Sequence, residues 1–159
     1  ILIGLFFVVI SMLYIYRLFG VFANLALLLN LLLLLAFLSI FQATLTLPGL
    51  AGIVLTVGMA VDTNVLIFER IREESKFPKK TIYAIIDNGF SSAFKTILDS
   101  NITTLLAAFM LFNLGSGPVK GFAITLIIGI ITSMFSAITF TKSLMVGWIK
   151  HSKTKKIPF

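Results

Sequence analysis

Gly58-Met59-Ala60-Val61-Asp62-Thr63-Asn64-Val65-Leu66-Ile67-Phe68-Glu69-Arg70-Ile71-Arg72-Glu73-Glu74 is an apolar run that carries a single carboxylate, Asp62, before it reaches a dense cluster of charge. On a helix rising 1.5 Å per residue, Glu69 stands roughly 10 Å beyond Asp62. Asp62 therefore falls inside a hydrocarbon layer, and the cluster from Glu69 to Glu74 marks the boundary with water. An ionisable group in a bilayer costs at least a few kcal/mol, so its default reading is functional. The rest of the chain reads as a membrane bundle built around that acid.

The 159 residues are 58% hydrophobic and 12% charged, with mean hydropathy +1.08, whereas soluble domains carry about 25% charged residues. Apolar runs recur, each about as long as a ~30 Å hydrocarbon core requires. The expected fold is all-α: a polytopic membrane bundle of five transmembrane helices plus a cytoplasmic amphipathic helix. Cysteine is absent and the lone His151 lies in the basic tail, which removes disulfides, thiol catalysis and His- or Cys-based metal sites. The net charge of +7 suits a lipid surface rather than nucleic acid, because the cations lie between and after the apolar runs.

The spans are expected at about 1–16, 22–41, 48–68, 97–113 and 122–140, in one membrane domain over 1–150, with a basic cytoplasmic tail over 151–159. Tyr14 and Tyr16 beside Arg17 read as an interfacial anchor, and Gly20 as a tight turn. Asn24 and Asn30 interrupt the Leu-rich second span and read as interhelical hydrogen-bonding residues. Pro48 opens the third span, where proline is tolerated. That span carries Ala51, Gly52, Thr56, Gly58, Ala60 and Thr63, small residues that let neighbouring helices approach, so it is the central helix. It is expected to run past the boundary through Glu69, Arg70 and Glu73, where i,i+3 and i,i+4 ion pairs form.

The loop 69–96 contains a basic turn at Ser75 to Lys80. From Thr81 an amphipathic stretch follows, with Ile82, Ile85, Ile86, Phe90 and Phe94 apolar, and it is expected to lie on the membrane surface. Gly115-Ser116-Gly117-Pro118 is a turn. The tail is expected to lose order beyond Trp148. Twelve of the thirteen Lys and Arg residues fall on one set of alternate connections, and Lys120 alone falls on the other. The positive-inside rule then places the 69–96 loop and the C-terminus in the cytoplasm. The chain opens at Ile1 within an apolar stretch and reads as part of a longer protein rather than as a signal peptide.

Asp62 has two readings: a neutral, hydrogen-bonded packing acid, or a proton-binding group. Desolvation favours a neutral acid, whereas water or a nearby cation favours the carboxylate, and a proton carrier needs both influences. Thr63 and Asn64 can hydrogen-bond to either form. Asp99 stands four residues after Lys95 and reads as half of an i,i+4 pair. Asn101, Thr103 and Thr104 either line a polar path or pack helices. No convergent nucleophile, base and oxyanion set is present, and no Gly-rich phosphate loop, so an enzyme is not expected. No intramembrane Lys or Arg balances Asp62, which points to a counter-charge from another chain or from water.

The stretch Leu47-Pro48-Gly49-Leu50-Ala51-Gly52-Ile53-Val54-Leu55, followed by Gly58 to Glu74, resembles the fourth transmembrane helix of the SecD branch of the SecD/SecF family, accessory subunits of the bacterial Sec translocon. Asp99-Ser100-Asn101-Ile102-Thr103-Thr104 resembles that family's fifth helix, and Gly115 to Thr125 its turn into the sixth. The Asp-x-Asn order at Asp62 to Asn64 favours SecD over SecF, whose motif places Asn-Asp there. Thr63 stands where the family pattern has Ala. The resemblance implies a partial membrane domain of the resistance-nodulation-division (RND) type, in the bacterial cytoplasmic membrane. It implies Asp62 as an ion-relay carboxylate, with proton or sodium as coupling ion and no other cofactor. The implied partners are a SecF-like subunit, SecYEG and a preprotein held by an extracytoplasmic domain outside this sequence. A proton-coupled small-molecule exporter of the same superfamily and a non-transporting scaffold are the alternatives.

Overall fold

The computed structural model describes residues 2–43, 46–77 and 81–152. Among the described residues every regular element is a helix: α1 (Leu2–Tyr16), α2 (Leu18–Ile40), α3 (Leu47–Ser75), α4 (Ile82–Leu114), α5 (Pro118–Met134), a π-helical turn (Phe135–Phe140) and α6 (Thr141–Ser152). The last three follow without a break and form one rod. Among the described residues four helical runs are long and apolar enough to cross a membrane, Leu18–Ile40, Leu47–Ser75, Ile82–Leu114 and Pro118–His151, beside the shorter apolar Ile3–Tyr16.

The first corner is sharper than the sequence suggests. Arg17, at φ 47°, makes the turn by itself, and α2 begins at Leu18 rather than near residue 22. Gly20 lies inside α2, where a Cβ would fall on the Met12 carbonyl, so its role is close helix approach. Tyr16 is buried and its hydroxyl donates to Glu69 Oε1 at 2.9 Å, while Tyr14 is exposed. Only Tyr14 is therefore free to serve as an interfacial anchor. Asn24 does bond between helices, donating to the Val9 carbonyl of α1 at 3.3 Å. Asn30 does not: it is fully buried with both polar side-chain atoms unpartnered.

Thr46 caps α3 by accepting from the Gly49 amide at 3.1 Å, with Pro48 in the first turn. The same hydroxyl donates to the Pro118 carbonyl at 3.2 Å, tying the starts of α3 and α5 together. From there the two helices pack through small residues. A Cβ on Gly52 would stand 3.2 Å from Thr125, and one on Gly129 would fall on Thr56. Lipid supplies no hydrophobic drive between helices, so such backbone proximity, with its dispersion contacts, holds this part of the bundle. The expected central helix is α3, and it continues through Glu69 to Ser75, with Arg70–Glu73 and Arg72–Glu69 paired at i,i+3.

The expected surface helix and fourth span are one helix, α4, of 33 residues. Thr81 caps it by accepting from the Ala84 amide at 3.3 Å, and no proline interrupts 82–114. Most of its apolar face packs against protein, with Phe94 left exposed. Ile85, Ile86, Phe90, Ala93 and Ile97 are buried in one cluster with Ile67, Phe68, Ile71, Met145 and Ile149. Gly89 lets α4 approach the backbone of Ile71, where a Cβ would stand 2.9 Å from its Cα. The helical order of α6 extends past Trp148 to Ser152. Residues 153–159 of the basic tail and 78–80 of the basic turn lie outside the described residues.

Candidate functional site

Asp62 stands on the outer side of α3 and is exposed on the surface of this chain. Beside it is a cavity of about 280 Å³ lined by Met59, Asp62, Thr63 and Leu66 from α3 and by Thr96, Ile97, Ser100 and Asn101 from α4. The spacing of Thr96 and Ser100 puts both on one stripe of α4, and Asn101 beside them is buried. Thr63 is also buried and donates to the Met59 carbonyl at 2.8 Å. Its proton is thereby committed, and its oxygen remains an acceptor. An amide such as Asn101 donates to a carboxylate or accepts from a carboxylic acid, and a free hydroxyl such as Ser100 does the same. The cavity can thus stabilise either form of the Asp62 carboxyl. Among the described residues Asp62 takes part in no ion pair.

The remaining residues of the expected polar network do not gather here. Asn64 lies about 200° around the helix from Asp62 and points into the bundle, where it is 1% exposed. Its amide donates to the Ala60 carbonyl at 3.1 Å, and its Oδ1 accepts from Thr141 Oγ1 at 3.2 Å. Asp99 and Thr103 are exposed on α4 outside the cavity, and Thr103 donates to the Asp99 carbonyl at 3.1 Å. Thr104 donates to the Ser100 carbonyl at 3.1 Å and does not line the cavity. The expected Lys95–Asp99 pair is not formed.

Ser100 lies within the Asp99–Thr104 stretch expected of the network, whereas Thr96 and Thr141 lie outside every expected site. Thr96 and Ser100 carried a signal in their i,i+4 spacing with Asn101 adjacent. Thr141 carried none, because its partner Asn64 is 77 residues away.

The model of the "Protein export membrane protein SecD/SecF, C-terminal" family matches residues 1–151. The chain belongs to the SecD/SecF family. Against SecD, a protein translocase subunit, of Rickettsia prowazekii it is 60% identical over 156 residues, which cover 98% of this chain and 30% of that protein. Against SecD of Magnetococcus marinus it is 52% identical over 157 residues, covering 99% and 30%. The crystal structure of SecDF from Thermus thermophilus, described as a translocon-associated membrane protein, superposes with TM-score 0.91 at 42% identity, over 97% of this chain and 21% of that one. The super-membrane-facing form of SecDF also superposes at 0.91, over 99% and 21%. The chain thus spans about 30% of the length of the SecD proteins it matches. It is the C-terminal multi-pass membrane region of a SecD-type protein, and the SecD/SecF family is one of protein export, not of enzymes.

Proposed function

We propose that this region is the ion-driven membrane part of a SecD-like subunit that uses the proton motive force to assist protein export through the Sec translocon. Asp62 is the relay carboxylate, and Thr63, Thr96, Ser100 and Asn101 are its immediate polar surroundings. Asn64 acts from the opposite face of α3, and Asp99, Thr103 and Thr104 extend the polar surface of α4. Protons, or sodium ions, are the coupling species. In this reading residues 1–150 form the membrane domain, with α1 as a fifth crossing, in a bacterial cytoplasmic membrane. The 69–96 hairpin and the tail 151–159 face the cytoplasm.

The observation that carries the reading is the exposure of Asp62 beside a cavity open to the outside of this chain. A carboxylate facing hydrocarbon at the bilayer centre costs about 2.5–3.5 kcal/mol on insertion scales. A surface that bears one, together with Thr96 and Ser100, is built to meet another protein surface or a water path. A SecF-like subunit fits that face. SecYEG and a preprotein engaged by other parts of the full-length protein complete the machine.

The test is export of a signal-bearing reporter from cells carrying the full-length parent with Asp62→Asn, with and without an uncoupler. Asn keeps size and hydrogen bonding while removing the titratable proton. Export at the uncoupled level, with normal membrane abundance, is the expected result. Export that remains coupled would make Asp62 a packing acid and the region a scaffold.

A further inference from the structure

The rod from Pro118 to Ser152 contains a π-helical turn at Phe135–Phe140, where the backbone amide of Thr141 bonds to the Ser136 carbonyl five residues back. A π-turn fits one extra residue into the length of an α-helix and is frequent at functional sites. The first two residues after it make the contacts that α6 offers to other helices through polar groups. Thr141, fully buried, has one hydroxyl proton shared between two acceptors at 3.2 Å, Asn64 Oδ1 on α3 and the Ser136 carbonyl inside the turn. Lys142 donates to Asp87 Oδ1 on α4 at 2.7 Å, and its ammonium lies 5.8 Å from the centre of the Phe90 ring.

Those two helices are the walls of the Asp62 cavity. Asn64 is two residues from Asp62 on the opposite face of α3, and Asp87 precedes Thr96, Ser100 and Asn101 on α4. The rod therefore grips both walls from behind, and it does so only in the π register. If the turn relaxed to α-helix with α5 held still, each residue of α6 would move into the place of its successor. Phe140, which has no hydroxyl, would replace Thr141 against Asn64, and Thr141 would replace Lys142 against Asp87. Both grips would be lost together, while a regular ladder of backbone hydrogen bonds would be gained.

We infer that the turn Phe135–Phe140 is a register switch: in its π form α6 holds both walls of the Asp62 cavity, and in its α form it releases both. Thr141 and Lys142 are positioning residues in this device. The link to ion flow rests on the proposed function, whereas the two registers do not.

Deleting Thr139, whose side chain is exposed, removes the extra residue and leaves Thr141 and Lys142 in their observed places on a plain α-helix. The full-length parent lacking Thr139 is locked in the gripping register. It is expected to reach normal abundance, to keep a bifunctional cross-link between Ala84→Cys and Val146→Cys, and to lose export. Both positions line one pocket with Asp87 and Lys142. Export at the wild-type level, or loss of the cross-link at normal abundance, would overturn the switch. If the deletion lowers abundance, the same cysteine pair in the unshortened parent decides. Its cross-linked fraction is expected to change when an ion gradient is imposed on membrane vesicles, and an unchanged fraction would overturn the inference. If Asp62→Asn leaves export coupled while the deletion abolishes it, the ion site fails and the switch stands. The reverse pattern removes the switch alone.

Discussion

Two faces of α3 at the same depth carry similar chemistry to opposite ends. On the inner face Asn64 is closed over by α6, its amide and carbonyl both bonded and its surface 1% exposed. On the outer face Asp62, two residues earlier, is exposed at a cavity whose other wall offers Thr96, Ser100 and Asn101. A buried, satisfied polar group fixes the relation between helices, because breaking it strands its partner. Asp62, exposed and in no ion pair among the described residues, makes no such tie within its own chain. The inner face is where this region holds its shape, and the outer face is where the account places its work.

The contrast breaks most strongly where packing is tightest. Gly129→Leu drives a side chain onto Thr56 in the α3–α5 seam, and overpacking of this kind costs about 1–3 kcal/mol or more. The full-length protein should then fall in membrane abundance and in thermal stability. Gly58→Ala is the control, since nothing lies within 4 Å of a Cβ there, and it should leave both unchanged.

Thr141→Val comes next. It leaves Asn64 Oδ1 buried without its donor, a loss of about 1–3 kcal/mol, readable as a lower unfolding temperature in detergent. Thr141→Ser should restore it. A smaller effect follows from Lys142→Met, because the Lys142–Asp87 pair is well exposed, with side chains at 39% and 70%. Exposed pairs contribute about 0.2–1 kcal/mol, and the effect should shrink further in high salt. Ser100→Ala closes the series: its stability change should stay within about 0.5 kcal/mol, while export by the parent falls. That divergence of stability from export is the signature of the outer face. Equal effects of Ser100→Ala and Thr141→Val on stability would erase the contrast.

Much of this was legible in the sequence. The third span, its run into the Glu69–Glu74 cluster and its small-residue surface follow from hydropathy, charge and spacing, because lipid and helix packing impose those patterns directly. The continuity of α4 was harder to see. An amphipathic stretch looks alike whether its apolar face meets lipid or protein, and only the meeting of Ile85, Ile86 and Phe90 with Ile67, Ile71 and Met145 decides between them. Tyr16 departs from the expected interfacial anchor for a related reason, since its partner Glu69 comes from a distant helix. At the candidate site, Asp62 and Asn101 were found as rare polar residues in apolar surroundings. The division of Asp62 from Asn64 follows from helix geometry, but which side faces α6 depends on a π-turn that no local pattern in FSAITF announces.

In the proposed relay Asp62 takes up a proton from its open face. The most direct measurement is carbodiimide modification of the full-length protein in native membranes, mapped by peptide mass across a pH series. Carbodiimides react with protonated carboxyls in apolar surroundings. Labelling at Asp62 is expected to rise as pH falls, to be absent in Asp62→Asn and to parallel loss of export, with protection by sodium if sodium is the coupling ion. An Asp62 that stays unlabelled across the series while Asp87 or Asp99 reacts, or labelling that leaves export intact, would contradict it.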